Sequence, residues 1–126
     1  MNMKDIMSKS VVTITKGCMI TEAADLMKKK GISCLVITCG DIIEGIITER
    51  DVLRKIVANQ KMFHQIDVSE IMSAPVVTVD EDMSVHDAVN MMQEKHIRRI
   101  VIAKDEKMIG IVTESDFVKV LRKIKI

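Results

Sequence analysis

The chain contains no tryptophan, no tyrosine and two phenylalanines, Phe63 and Phe117. Proteins that hold single-stranded nucleic acid stack its bases on aromatic side chains, and this sequence offers almost nothing to stack on. Any flat ring it binds must lie between aliphatic side chains. An excess of either charge is also missing: 19 Lys and Arg stand against 18 Asp and Glu, a formal net charge of +1. The overall field therefore neither recruits nucleic acid nor repels it. No run approaches the roughly 18–20 apolar residues of a membrane span, and the opening "MNMKDIMSKS" lacks the apolar stretch of a secretory signal. Cys18, Cys34 and Cys39 are odd in number, with no CxxC pair and no zinc-like spacing to histidine. They are expected as thiols in a reducing cytoplasm, Cys18 and Cys34 as small buried apolar residues and Cys39 exposed in a turn beside Gly40. His64, His86 and His96 have no metal-like spacing either, and no metal site is expected.

Length sets a further bound. The 126 residues suffice for one compact globular unit with a core, and exclude scaffolds such as the barrel enzymes of roughly 250 residues. No glycine-rich phosphate loop, nucleophile elbow or pair of catalytic carboxylates is visible, so no enzyme is expected.

What the chain does contain is a repetition. A constant shift of 65 positions carries "GIITERD" (Gly45 to Asp51) onto "GIVTESD" (Gly110 to Asp116). The same shift carries "IMSKSVVTI" from Ile6 onto "IMSAPVVTV" from Ile71, and "EAADLMKKKGISCLVI" from Glu22 onto "DAVNMMQEKHIRRIVI" from Asp87, without a gap. The chain thus reads as a tandem of residues 3–58 and 68–126, joined by the polar segment "NQKMFHQID". In each copy a β-branched run ("VVTI" or "VVTV") suits a first strand. A helix follows, its buried stripe Ile20, Ala23, Ala24 and Met27 in one copy and Val85, Ala88, Val89 and Met92 in the other. Ser84 of "SVHD" opens a capping box where the first copy has Met19, and Gly31 stands where a glycine ends a helix. Two apolar runs, Leu35 to Thr38 and Ile42 to Ile47, are parted by the hairpin sequence "CGD", with "AKDEK" as its counterpart. A last helix carries Val52, Leu53, Ile56 and Val57, or Phe117, Val118, Leu121 and Ile124. The predicted class is α+β, with the order β-α-β-β-α twice. A unit of about 55 residues is marginal alone, so the two repeats are expected to pack about a pseudo-twofold axis, leaving two equivalent clefts. The apolar stripes of the last helices are met within the pair or by a second copy, and a homodimer is expected.

The repeated heptapeptide carries two readings. Thr48 falls at the N-cap of the last helix with Asp51 three residues on, close to a capping box, and the helix dipole stabilises the acid. The same arrangement suits a ligand. Backbone N–H groups and a threonine hydroxyl at a helix start can take phosphate, a carboxylate one turn in can accept from two ribose hydroxyls, and the apolar strand before it can cover a base.

With its doubled "GIITERD"/"GIVTESD", its "IMS..VVT" openings and "HIRRIVI", nearly the whole chain resembles a tandem pair of CBS domains, often called a Bateman module. Val36 and Val101 stand where many family members have a second-strand proline that shapes the backbone beside the ligand. The resemblance implies a stand-alone regulatory module that binds AMP, ADP, ATP or S-adenosylmethionine between the repeats and signals to a partner protein by conformational change. It implies no other cofactor. Carried over, one cleft joins Ile46, Thr48 and Asp51 to Thr78, Arg98, Arg99 and Ile100. The other joins Ile111, Thr113 and Asp116 to Thr13, Ser33, Cys34 and Leu35. Arg98 and Arg99 suit phosphate and their counterparts Ser33 and Cys34 do not. The Asp51 cleft is therefore expected to prefer a phosphorylated ligand, and the Asp116 cleft a nucleoside, a weakly charged ligand or none.

The competing expectation is a dimerising scaffold or nucleic-acid binder that needs no ligand. The basic run "MKKKG" from Met27 and the amphipathic "KVLRKIKI", with Lys119, Arg122, Lys123 and Lys125, are the segments that would carry it.

Overall fold

The computed structural model describes residues 1–58 and 62–123, apart from the side chains of Val57, Ala58 and Phe63. Expectations that fall on the Val57 side chain, Ile124, Lys125 and Ile126 lie outside the described residues. In chain order the elements are α1 (Met3–Ile6), β1 (Thr13–Thr15), α2 (Ile20–Lys30), β2 (Cys34–Cys39), β3 (Ile42–Thr48), α3 (Glu49–Ala58), α4 (Val68–Ile71), β4 (Thr78–Asp80), α5 (Val85–Lys95), β5 (Arg99–Lys104), β6 (Lys107–Thr113) and α6 (Glu114–Lys123), with a 3-10 turn at Phe63–Gln65. The β-α-β-β-α order thus occurs twice, and a short helix not anticipated from the sequence opens each copy, ahead of its first strand.

The chain divides into two compact units. One is Val12–Val76 and the other combines Met1–Val11 with Val77–Ile126. Each holds a three-stranded sheet, β1-β2-β3 or β4-β5-β6. The outer strand lies parallel to the central one through the helical crossover, and the third returns antiparallel through a hairpin. Both hairpins carry a bulge at the same place, between Ile37 and Thr38 and between Ile102 and Ala103.

The core of the Val12–Val76 unit is built from Leu35, Ile37 and Ile47 of the sheet, Ile20, Ala23 and Met27 of α2, and Ile66, Val68 and Ile71. Several sequence expectations need correction here; in the second copy's stripe Val85 and Val89 are half-buried, with Ala88 and Met92 alone buried. Ala24, placed in the buried stripe, is exposed: the buried face of α2 is centred on Ile20, Ala23 and Met27, and Leu26 packs against the core beside it, so Ala24 falls on the solvent side. Ile66, placed in a polar joining segment, is fully buried. The other core joins Met3 to Ala88, Met92, Ile100, Ile102 and Val112, with Phe117 packed against it. Cys18 and Cys34, expected to be buried, are half-buried, because Cys18 lies at the edge of the core and Cys34 alternates with core-facing Leu35; Cys39 is exposed. Burial, and then the neighbouring Glu22, push the Cys18 thiol up.

The local signals explain the element ends. Gly31 (φ 63°) closes α2, its N–H directed at the Lys28 carbonyl and the Ile32 N–H at that of Met27, the two bonds of a Schellman end. The second copy builds the same end with His96 at φ 54°. Ser84 caps α5 by accepting from the Asp87 N–H at 3.1 Å. The two hairpins differ: Gly40 supplies the positive φ in the first, while Asp105 (φ 51°) and Glu106 (φ 66°) adopt it without a glycine in the second. Left-handed backbone at both central positions favours Asp-Gly, so Glu106→Gly is expected to stabilise the protein by about 1 kcal/mol, read from the urea unfolding midpoint.

The segments that open the repeats are exchanged between the units. In the Val12–Val76 unit the segment opening the second repeat docks through Val68 N–H to Cys18 O (2.9 Å) and Ile20 N–H to Ile66 O (2.8 Å), then pairs Ser73 with Ile46 of β3. In the other unit the first residues dock through Met3 N–H to Met83 O (2.9 Å) and Val85 N–H to Met1 O (2.9 Å), and pair Ser8 with Ile111 of β6. Asp67 caps α4 by accepting from the Ser69 N–H at 2.8 Å and the Ser69 hydroxyl at 2.7 Å. Desolvation opposes its ionisation, but these bonds, with help from the Gly17 backbone and Lys16, hold its carboxyl below the usual aspartate range. Because the folded value is the lower one, this stabilisation is present above the unfolded value, near 3.9, and is lost as pH falls through the folded one. Asp67→Ala is expected to cost about 1 kcal/mol at pH 7. Urea melts should show the gap to the unsubstituted protein closing as the pH falls below the aspartate range.

Candidate functional site

Each third strand ends in a threonine that starts the last helix. The Thr48 N–H donates to Asp51 Oδ2 (3.1 Å) and the Asp51 N–H donates to Thr48 Oγ1 (3.0 Å), a complete reciprocal cap. In the second copy the Thr113 N–H donates to Asp116 Oδ2 (2.9 Å), but the Thr113 hydroxyl turns to Asp116 (3.3 Å) and to Ser115 Oγ (2.8 Å). Ser115 stands where the first copy has Arg50. The capping role read from the sequence is therefore real in both copies. It also uses part of the helix start: the Glu49 N–H donates to Ser33 O (3.0 Å) and the Glu114 N–H to Arg98 O (3.1 Å). What remains for a ligand is chiefly the carboxylate. Thr48 is 5% exposed, and the Asp51 and Asp116 side chains keep 17% and 16% of their surface accessible.

The partners of the two carboxylates differ. Asp51 Oδ1 lies 3.8 Å from the Lys55 ammonium, with the Ser73 hydroxyl 3.4 Å away. Asp116 Oδ1 lies 4.0 Å from the exposed Lys119. Neither Lys55 nor Ser73 was picked out from the sequence. The signal for Lys55 was available in its i,i+4 spacing from Asp51, whereas Ser73 is 22 residues away.

The other expected site residues fall as follows. In the Val12–Val76 unit Thr48 lies opposite Cys34, Ile46 opposite Val36, and Thr13 beside Val36, with Ser33 next to Cys34. In the other unit Thr113 lies opposite Arg99, Ile111 opposite Val101, and Thr78 beside Val101, with Arg98 next to Arg99. Each unit thus brings one Thr–Asp motif together with the strand residues that the resemblance assigns to the other motif. Leu35 and Ile100 are fully buried in the two cores, so only their backbone can meet a ligand. Arg98 is exposed and Arg99 half-buried, and Arg99 Nε is enclosed with no hydrogen-bond partner among the described residues. The departure from proline also has a structural use. The Val36 N–H donates to Val12 O and the Val101 N–H to Val77 O, both at 3.0 Å, bonds that a proline cannot make.

Sequence reasoning missed the role of the motif glycines. A Cβ on Gly45 would lie 2.6 Å from Met72 Sδ and 2.9 Å from Ser73 O, and one on Gly110 would lie 2.5 Å from Met7 Sδ and 3.0 Å from Ser8 O. Glycine in a strand interior is the available sign of such close approach. A cleft of about 490 Å³ lies between α5 and α6, lined by Val89, Met92, Gln93, His96, Ile97, Phe117, Glu114 and the expected site residue Arg98. Among the described residues no group of three or more His, Cys, Asp or Glu could hold a metal ion, and no helix is long and apolar enough to cross a membrane.

Comparison with known proteins places this geometry. The protein MK0525 of Methanopyrus kandleri is 40% identical over 118 residues, covering 92% of this chain and 60% of its own length. The CBS domain-containing protein YhcV of Bacillus subtilis is 33% identical over 115 residues, covering 91% of this chain and 81% of its own. Among solved structures, the CBS domain pair of protein MJ0100, in complex with 5′-methylthioadenosine and S-adenosyl-L-methionine, superposes with a TM-score of 0.86 at 30% identity, covering 99% of this chain and 98% of that one. The family model for the CBS domain matches residues 3–58 and again 68–123. The chain belongs to the CBS domain family and carries the domain twice.

Proposed function

We propose that the protein is a non-catalytic regulatory module that binds an adenosine-type ligand, AMP, ADP, ATP or S-adenosylmethionine, through its Thr48–Asp51 and Thr113–Asp116 motifs and signals to a partner protein by a change of conformation. The observation that carries the reading is the pair of accessible carboxylates at helix starts. Each is held by the N–H of its own threonine and keeps lone pairs free to accept from ribose hydroxyls. The ligands in the MJ0100 pair support it, since both contain adenosine. The guanidinium groups of exposed Arg98 and half-buried Arg99 support a ligand with phosphate for the set that includes them. Leu53 (72% exposed) on α3 and Leu121 (62% exposed) on α6 are apolar and uncovered; a second copy of the chain is the proposed cover.

Without tryptophan or tyrosine the protein is nearly transparent near 280 nm, so a ligand retained through purification would show as a 260 nm band, identified by mass spectrometry after acid release. Calorimetric titration with AMP, ATP and S-adenosylmethionine is expected to give saturable binding of at least one of them. Silence with all three would leave the ligand-independent scaffold. Arg99→Ala is expected to weaken AMP binding about tenfold or more, and unchanged AMP affinity would remove the phosphate assignment.

A further inference from the structure

Around their Thr–Asp motifs the two repeats also differ at Lys55. Its ammonium donates to the Ile71 carbonyl oxygen at 2.9 Å, with the Met72 oxygen at 3.5 Å, while Asp51 Oδ1 lies 3.8 Å away. The Ser73 hydroxyl approaches both oxygens of the same carboxylate, at 3.4 Å and 3.5 Å. Ser73 is itself tied to β3 by two backbone bonds, Ser73 N–H to Ile46 O (2.8 Å) and Ile46 N–H to Ser73 O (3.0 Å). Carboxylate, ammonium and crossing segment are therefore one connected group inside a single unit. The 65-residue shift puts Val120, 8% exposed, in the place of Lys55. Among the described residues the cation paired with Asp116 is Lys119, whose side chain is 72% exposed. A charge-assisted bond to a partly enclosed carbonyl is strong, and an exposed ion pair at 4.0 Å counts for little.

We infer that Lys55 is a positioning residue that couples the Asp51 carboxylate to the crossing segment Ile71–Ser73, so that occupation of the first motif is transmitted to that segment while occupation of the second leaves its counterpart, Ile6–Ser8, unchanged. The coupling rests on the geometry alone, and its use as a signal rests on the function proposed above. Asp51 competes with the Ile71 carbonyl for the Lys55 ammonium. A ligand that donates its hydroxyls to Asp51 draws charge away from that competition and replaces the long Ser73 bond. Lys55 then holds the Ile71 carbonyl more firmly, and the segment tightens against β3.

Amide hydrogen exchange at Ser73 and Ile46 reads the coupling, with Ser8 and Ile111 as the comparison in the other unit. In the ligand-free protein Lys55→Met is expected to speed exchange at Ser73 and Ile46 about tenfold and to leave Ser8 and Ile111 within twofold. Asp51→Asn is expected to change exchange at Ser73 in the presence of Lys55 or of Lys55→Arg, and to have a clearly smaller effect beside Lys55→Met, where only the long Ser73 hydroxyl contact remains. Equal effects of Asp51→Asn in both backgrounds would overturn the inference, because a merely structural Lys55 gives that additive result. AMP and S-adenosylmethionine are then added. The bound probe is expected to slow exchange at Ser73 and Ile46 in the unsubstituted protein and not in Lys55→Met. If neither probe binds, the ligand reading fails while the ligand-free cycle still decides the coupling. If a probe binds and the cycle is additive, the coupling fails and the ligand reading stands.

Discussion

Alanine at Gly45 is expected to lower stability by about 2–3 kcal/mol, and alanine at Gly110 by a similar amount. The added methyl at Gly45 meets Met72 Cγ as well as Sδ, and the Ser73 carbonyl oxygen at 2.9 Å. A methionine tip could swing away, but the carbonyl cannot retreat cheaply, because it accepts from the Ile46 N–H at 3.0 Å. Relief therefore requires breaking the bridge between β3 and the crossing segment or tilting the segment off the sheet. Ile71, fully buried at the end of α4, would be drawn out with it. Urea unfolding with an unchanged slope and a shifted midpoint would measure the loss. A change below about 0.5 kcal/mol, the size of an ordinary surface substitution, would mean that the crossing segment yields freely and that close approach is not why both motifs begin with glycine.

Asp51→Ala is expected to weaken the ligand bound at the first motif about thirtyfold or more, since hydrogen bonds to a charged acceptor contribute roughly 1.5–3 kcal/mol each. It should also cost about 1 kcal/mol of stability, because the substitution removes the acceptor for the Thr48 N–H at the helix start. The two effects separate by measurement: calorimetry on the folded variant reads the first, and unfolding the second. Asp116→Ala should act in the same way on the second motif and leave the first unaffected. A lost cap with undiminished affinity in both variants would make the carboxylates structural and nothing more.

Much of the architecture was legible because it is written in local chemistry. Gly31 marks a helix end, Gly40 a turn, and Thr48 with Asp51 a helix start, each within a few residues of its effect. The doubled motif then gave the repeat and with it the family resemblance. What escaped depends on groups distant in sequence or on backbone. The reason for Gly45 is a carbonyl 28 positions further on. Lys55 acts on main-chain oxygens of Ile71 and Met72, which carry no sign in the side-chain pattern. Asp105 and Glu106 take positive φ where the sequence offers no glycine to announce it. Ile66 looked like part of a polar connection because its neighbours are polar, yet burial is decided by what the chain folds beneath.

The exchanged opening segments bear on how this protein can be taken apart. A cut at the end of the first repeat separates β3 from the strip of chain that pairs with it, whereas cuts after Val11 and after Val76 follow the units. The Met1–Val11 stretch is attached to its own unit by backbone bonds at Met3, Val85, Ser8 and Ile111 and by the buried Met3 side chain. Those contacts need no peptide bond to Val12. A protein shortened by those eleven residues should accept them back as a free synthetic peptide, a split-molecule reassembly in which a methionine-anchored tether becomes a removable part.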